Sequence, residues 1–301
     1  MEKNHVTRKL TVREFFKRFP DEDTCLEHVM DVRFGLRHTC RKCGVVDATF
    51  HKLAERKAYS CAHCGDHLYP CAGSIFEDTR TPLQTWFYAI YLFTVSRNGV
   101  AAMELHRALG VTYKTAWRMA KQIRTLMEKA DNREGTILSG HIESDETFVG
   151  GAARGYGKGP YASGNKTIVL GMKERGGRII TKVIPDVTTA TLRAEFERHV
   201  TPGSTVSTDE AKAYGLVGRD GWNHIRVNHS EKDYAHYDYR AKDTASVNGV
   251  ENFWKHFKAS VRGTHVHVSR KHMDTYLGEF TYRANHRHVG NAMFDALVAA
   301  L

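Results

Sequence analysis

Two Cys-x-x-Cys-Gly knuckles, Cys40-Arg-Lys-Cys43-Gly and Cys61-Ala-His-Cys64-Gly, stand 17 residues apart in this 301-residue chain and constrain its folding more than any other feature. Each knuckle presents two thiolates to one metal, the glycine after it permits the left-handed turn that closes it, and a matched pair completes a tetrahedral, all-thiolate zinc site. Four thiolates leave no open position for a substrate, so the zinc reads as structural and the segment as unfolded without it. His51, His63, His67 and Cys71 are spare ligand types close by, although lone histidines are more often surface groups. Two disulfides are the competing reading. Against them, the opening Met1-Glu2-Lys3-Asn4-His5 is polar with no apolar run, which is no export signal. The longest apolar run, residues 86–94, is about half of the roughly 20 a membrane span requires. A soluble, cytoplasmic protein is expected, with no membrane partner.

Lys and Arg number 44 against 34 Asp and Glu, a formal charge of +10, while 41 % hydrophobic and 10 % aromatic residues are ample for sizeable cores. Such a surplus points to a polyanionic partner, nucleic acid before an anionic membrane surface. From Thr81-Pro82 the pattern is helical, Thr81 being the expected cap, and a break falls at Arg97-Asn98-Gly99. Residues 100–109, a turn at Gly110-Val111 and a helix over 113–127 capped by Thr112 have the grammar of a helix-turn-helix. On that second helix Lys114, Arg118 and Lys121 recur at i, i+4 and i+7 while Ala116, Trp117, Ala120 and Ile123 turn the other way. A basic face there suits the DNA major groove; a solvated helical hairpin is the plainer alternative.

Beyond residue 135 the period shifts toward two. A strand is expected over 137–149, a hairpin over 167–173 and 178–184 around Arg175-Gly176-Gly177, a helix over 188–200 capped by Thr188 or Thr189, strands over 205–209 and 224–228, and a long helix from about Val247. The glycine-rich stretch 150–159 fails the phosphate-loop pattern, because Gly159 follows Gly157-Lys158 where Ser or Thr is needed. It reads as a basic loop whose Arg154 and Lys158, with Lys166, could meet a DNA backbone. The domain order is then a helical segment 1–35, a zinc ribbon 36–78, a helix-turn-helix region 79–131 and an α/β domain 136–301.

Three acidic residues sit where metal ligands would be useful: Asp145 in Glu143-Ser-Asp145-Glu-Thr, Asp209 in Ser207-Thr-Asp209-Glu-Ala, and Glu251 in Asn248-Gly-Val-Glu251-Asn-Phe-Trp. A carboxylate in or at the end of an apolar-flanked strand is costly without a partner, and a cation supplies one. Turn chemistry and a surface ion pair are the ordinary readings of these residues taken singly. At about 100° per residue, Val250, Phe253, Trp254, Phe257 and Val261 fill one sector of the long helix, and Asn248, Glu251, Lys255 and Lys258 the adjoining one. Glu251 and Lys258, two turns apart on one side, could face one DNA strand. Glu143, two residues before Asp145, shares its strand face and could support it.

Taken in order, two strand-borne Asp residues, a Glu on a late helix and a Lys seven residues on resemble the DDE transposases. With the cysteine knuckles and the helical pair ahead of them, the whole chain resembles the zinc-ribbon, ISXO-type group of bacterial insertion sequences. The motifs Asp145-Glu-Thr-Phe-Val-Gly-Gly151, Thr208-Asp-Glu-Ala-Lys-Ala-Tyr214, Asn248-Gly-Val-Glu-Asn-Phe-Trp254 and Tyr276-Leu-Gly-Glu-Phe-Thr-Tyr-Arg-Ala-Asn285 carry the match. The resemblance implies an RNase H-like catalytic domain, two Mg2+ (or Mn2+) ions held by Asp145, Asp209 and Glu251, and phosphoryl transfer at transposon ends. It implies terminal inverted repeats and target DNA as partners, phosphate contacts from Lys258, Arg262 and the basic loop, a homo-oligomer in the active complex and association with the nucleoid. Asn248 is the second choice for the third ligand, since that position is often Asn in this group; an ionised carboxylate is the better ligand for a hard cation. Two other readings stay beside it: an HUH-type nuclease using His265-Val-His267 with Tyr276 as nucleophile, and a DNA-binding regulator with an inactive C-terminal domain.

Overall fold

The computed structural model describes residues 10–150, 166–211, 213–215, 221–228, 231, 234–290 and 292–301. The chain divides into two compact units, Met1–Leu126 with Arg287–Leu301, and Met127–His286.

In the first unit, helix α1 (Val12–Arg18) begins at a capping box in which Thr11 and Glu14 each bond the other's backbone N–H, and α2 (Glu22–Phe34) begins at the Asp21 cap. An antiparallel ribbon follows, β1 (Arg37–His38), β2 (Ala48–Lys52), β3 (Tyr59–Cys61) and β4 (His67–Leu68), paired in chain order. Strands of two to five residues bury too little to hold such a ribbon by themselves. Helices α3 (Leu83–Val95), α4 (Ala102–Leu109) and α5 (Tyr113–Asp131) come next, α5 running on into the second unit. Pro82, not Thr81, takes the N-cap position of α3, and no side chain closes that first turn. Gly110, in the left-handed conformation at φ 66°, ends α4, and Thr112 caps α5 by accepting from the Thr115 N–H at 3.2 Å.

The last helix, α9 (Ala292–Ala299), belongs to this first unit because Phe294 completes its aromatic core, with ring centroids 5.5 Å from Phe19 and 5.9 Å from Phe87. The stretch 136–301 expected as one domain therefore ends, as a compact unit, at His286. Among the described residues no helix is long and apolar enough to cross a membrane.

The second unit is built on five strands in the order β7-β6-β5-β8-β9, with β5 (His141–Val149), β6 (Thr167–Glu174) and β7 (Ile179–Ile184) antiparallel, and β8 (Thr205–Thr208) and β9 (Asn223–Arg226) parallel to β5. Strand β5 starts later than the expected residue 137 because Gly140, at φ 76°, interrupts it, leaving Leu138 a single bridge to Val200. One face buries Leu170, Met172, Ile180 and Val206 against Leu192 and Phe196 of α6 (Thr189–His199). The other buries Val149, Val169 and Ile179 against Val250, Trp254 and Phe257 of α7 (Asn248–Ser260) and Leu277 and Phe280 of α8 (Arg270–Asn285). The strand alternation thus serves two helical layers at once. The hairpin β10 (Ala235–Asp238) and β11 (Asp243–Ser246) was not foreseen, since its alternation is masked by polar and aromatic residues on an exposed side. Asp238 closes its turn by accepting from the N–H groups of Arg240 and Ala241 at 2.8 and 2.9 Å.

Gly171 of β6 sets how near α7 comes. A Cβ there would lie 2.5 Å from Trp254 Cζ2 and 2.9 Å from Val250 Cγ2, inside contact distance for rigid, packed side chains. Gly171 pairs with Asp145 across the ladder, so the missing side chain lets α7 settle beside that carboxylate. Gly171→Ala is expected to destabilise this unit by about 1–3 kcal/mol through overpacking, read as a lower urea midpoint at unchanged slope. An unaltered midpoint would contradict the close approach.

Candidate functional site

Four sulfurs form the first site. Cys40 Sγ lies 3.7 Å from Cys64 Sγ and Cys43 Sγ 4.0 Å from Cys61 Sγ, and all four are within 4.8 Å of one another. A zinc ion with Zn–S bonds of about 2.3 Å places its ligands roughly 3.8 Å apart, so the donor set fits the metal and excludes disulfides, whose sulfurs are about 2.05 Å apart. Both knuckles are built alike: Gly44 N–H donates to Cys40 O at 2.9 Å and Gly65 N–H to Cys61 O at 3.0 Å, with φ 72° and 71° at the two glycines. Cys25 and Cys71 are buried elsewhere, and burial pushes their thiols up to about 12 and about 11, which keeps them protonated. Among the described residues these four cysteines are the only ligand-type side chains gathered so closely, so His51, His63, His67 and Cys71 stay outside the set.

The second site is acidic. In the parallel pairing of β5 with β8, Glu143 stands opposite Ser207, and the same register carried two residues on places Asp209, just past β8, beside Asp145. Both lie on the sheet face covered by α7, which brings Glu251 one turn in from its N-terminus and Lys258 two turns further on. Asp145 is pushed up to about 8, first by burial, then by the negative charges of Glu146, Asp209 and Glu251, with Lys258 acting the other way. Burial lowers Lys258 below the ordinary lysine range against the pull of Asp145, and Arg262 and Lys166 lower it further. Asp209, Glu251 and Lys258 thus each act on Asp145, although among the described residues the carboxylates are not gathered as closely as the four sulfurs. Asp209 also accepts from the Ala211 N–H at 3.0 Å, which orients its carboxylate.

Glu143 does more for the site than its position beside Asp145 revealed. Its Oε2 accepts from the N–H groups of Gly249 and Val250, at 2.6 and 3.1 Å, and so caps α7 from a different strand. No side chain of the helix's own N-cap, Val247, does this. A Cβ on Gly249 would fall 2.5 Å from that carboxylate, so the helix end can be gripped this closely only at glycine. Asn248, the second choice for the third ligand, is exposed at the first residue of α7 and donates its N–H to Ser246 Oγ at 3.2 Å.

Other residues take supporting places. Glu146 points to the opposite sheet face, where burial raises its pKa and the fully buried Tyr214 hydroxyl donates to it at 2.7 Å. His141 joins Asp243, at 2.5 Å, to Ser207, at 2.6 Å. This has the order of a hydrolase triad, but Ser207 is fully buried and no substrate can reach it, so it braces β5, β8 and β11. Neither contact is visible in sequence spacing, because the partners are 66 and 102 residues apart. His265 packs edge-on against the Tyr276 ring at 4.8 Å in an irregular turn, while His267 lies exposed two residues on. The pair is not borne on a strand as a paired-histidine nuclease needs.

On α5 the structure exposes Lys114, Arg118 and Lys121 and buries Ala116, Met119, Ala120 and Ile123. Trp117 differs from expectation: it is 40 % exposed, with Lys121 Nζ 5.8 Å over its ring, so it joins the basic face. Arg154 and Lys158 lie outside the described residues, and Arg262 is exposed just beyond α7.

The comparisons with known proteins place this thiolate ribbon, followed by a mixed α/β unit, in the transposase class. The family model for an ISXO2-like transposase domain matches residues 137–285, and that for a transposase zinc-ribbon domain matches residues 20–67. An uncharacterized transposase-like protein of Haemophilus influenzae is 30 % identical over 112 residues, 37 % of this chain and 85 % of that protein. An uncharacterized protein in transposable element ISH50 of Halobacterium salinarum is 24 % identical over 263 residues, 81 % of this chain and 83 % of that protein. The chain belongs to the ISXO2-like transposase family. A pre-cleavage Mos1 transpososome structure covers 71 % of this chain and 78 % of its own at 12 % identity, with a TM-score of 0.21, too low to argue from.

Exhaustive chelation, or Cys43→Ser, should remove zinc in proportion to protein and open residues 36–78 to protease while the five-stranded unit stays resistant. Metal analysis with limited proteolysis checks this, and an intact metal-free ribbon would refute the structural role.

Proposed function

We propose that the chain is a DDE-type transposase, a polynucleotidyl transferase that cuts insertion-sequence ends and joins them to target DNA on an RNase H-like domain. The observation that carries this reading is the placement of Asp145 on the sheet face covered by α7, where Asp209, Glu251 and Lys258 act on it and it is pushed up to about 8. A buried carboxylate facing further carboxylates is a poor arrangement for stability unless a cation is meant to share them. The sheet order, three antiparallel strands followed by two parallel to the first, supports the fold assignment.

The donors are hard oxygens from two strands and a helix, the chemistry that Mg2+ or Mn2+ selects, so Asp145, Asp209 and Glu251 fit as the residues that would hold it. When bound, such ions activate the attacking water or 3′-OH and stabilise the leaving oxygen. Glu251 is preferred to Asn248 because it is half-buried and acts on Asp145, whereas Asn248 is exposed. Glu143 holds the N-terminus of α7 so that Glu251 stays in place, and Lys258 offers its ammonium to a phosphate of the strand lying at Asp145. The ribbon and the α4–α5 pair, with Lys114, Trp117, Arg118 and Lys121 outward, would bind the terminal repeats. Two ends must meet for joining, so the active complex holds at least two copies.

Asp145→Asn, Asp209→Asn and Glu251→Gln are each expected to keep terminal-repeat binding in gel shift while Mg2+-dependent nicking falls at least about a hundredfold. Full nicking by all three variants would sink the assignment, and binding without nicking by the parent chain would favour the regulator reading. Apparent Mg2+ affinity should rise about tenfold per pH unit below pH 8 and level off above it, since the metal displaces the proton that Asp145 holds up to about 8. For the metal-free fold the sign is opposite. A raised carboxyl pKa means the folded state binds the proton more tightly, so stability is fullest below the ordinary range and is lost as pH rises through about 8. Calorimetric titration across pH 6–9 measures the first trend and urea unfolding the second; flat profiles would contradict both.

A further inference from the structure

Beside the acidic cluster the second unit holds a cavity of about 290 Å³ to which no role has yet been given. Its walls are mostly apolar, with Val149 from the end of β5, Val261 from the turn after α7, and Val266 and Val268 from the segment that follows, where His267 also lines it. Its cations are Lys258 and Arg262. Val149 and Val261 are nearly inaccessible, at 4 % and 8 %, whereas Val266 stands 80 % exposed at the cavity's edge. Val149 lies four residues from Asp145 on the same strand face, about 13 Å along it, and Lys258 spans that interval by acting on Asp145 while lining the cavity. A group seated there is therefore a near neighbour of whatever lies at the carboxylates.

The backbone forming the far wall is unusual. Residues Val261–His265 make a π-helical turn, and Val266 sits at φ 62°, ψ −50°, a conformation that a β-branched residue adopts only under constraint. Such strain, of order 1–3 kcal/mol, persists where a site requires the shape it produces. The chemistry of the lining restricts the occupant. A phosphate alone has no use for four apolar side chains, and an apolar side chain of a partner has no use for two cations. An aromatic ring carried next to a phosphate suits both. In a duplex the bases are stacked and out of reach, so a base enters only by leaving the stack.

We propose that this cavity receives one unstacked nucleotide of the DNA end, its base against Val149, Val261 and Val268 and its phosphate at Lys258 and Arg262. The proposal rests on the transposase reading above and adds to it a step of DNA distortion next to the cut site. The nucleotide belongs to the DNA strand, not to a free nucleotide cofactor, because Lys258 is shared with the carboxylate cluster that would hold the scissile phosphate.

The test uses the full chain and element-end duplexes carrying 2-aminopurine at successive positions around the cleavage site, with Ca2+ in place of Mg2+ to hold the complex before cutting. Binding is followed by anisotropy of a distant label and unstacking by 2-aminopurine emission. One position adjoining the cut phosphate is expected to brighten severalfold on binding. Val268→Phe, which fills the cavity, should bind the end within about twofold of the parent yet give no brightening. Val266→Trp, at the exposed edge where the core is not disturbed, should do the same if Val268→Phe fails to fold. Binding with no bright position, or full brightening in a folded, filled-cavity variant, overturns the proposal while leaving the transposase reading in place. Loss of Mg2+-dependent nicking in the parent chain would instead overturn that reading, and the proposal with it. The free 2-aminopurine deoxynucleotide should show no change at matched concentration; saturable binding as tight as the DNA end would make the cavity a cofactor site and refute the assignment.

Discussion

The close seating of α7 on the sheet is the constraint from which the acidic site follows. Two interactions set it: the absence of a side chain at Gly171, which admits Trp254 and Val250, and the Glu143 carboxylate, which takes two N–H groups at the helix N-terminus. The first controls distance and the second controls orientation. Together they carry Glu251 and Lys258 to a face where Asp145 and Asp209 already stand on neighbouring strands. Were α7 a few ångströms further out, Asp145 would be a buried carboxylate among apolar side chains with no partner helix to complete it.

Charge is handled in layers. The chain carries a +10 surplus overall, while the acids of the candidate site are few and inward-facing. Asp145 is pushed up to about 8 by its burial and by the like charges around it. Two other buried charges are paired in a different way: Arg133 donates to Thr181 O at 2.9 Å and to Asp274 at 3.1 Å, and Asp131 takes Arg178 and Asn285 at 3.1 and 3.0 Å. Those pairs are satisfied within the protein and serve rigidity. The acidic face, by contrast, keeps a surplus of one sign at Asp145.

Much of this was legible in the residues. The zinc ligands could be read from spacing because the knuckle is a local structure: two cysteines and a glycine close it with backbone bonds four residues apart. The strand and helix periods of β6, β7, α6 and α7 were also legible, since each buries one regular face. The hairpin β10–β11 was not, because its first strand only alternates exposed with half-buried residues and no apolar alternation marks it. Trp117 misled for a related reason. Large aromatic residues are usually buried, and only the packing of α5 shows that its outward turn leaves this one beside Lys121. The end of the second unit was illegible too, because Phe294 finds its aromatic partners almost the whole chain away.

By itself the sequence determined the local elements and the cast of the two candidate sites: four thiolates at fixed spacing, one Asp within a strand and one just past a strand, and a helix with one apolar and one polar face. Only the tertiary structure decided which of those residues meet. The register of β5 against β8, the Gly171 contact with Trp254, the capping of α7 by Glu143 and the cavity beyond Lys258 all join residues tens to more than a hundred positions apart. The physical reason is that hydrogen-bond and thiolate geometry over a few residues is encoded by type and spacing, whereas distance between layers depends on how side chains of unrelated segments fill one space.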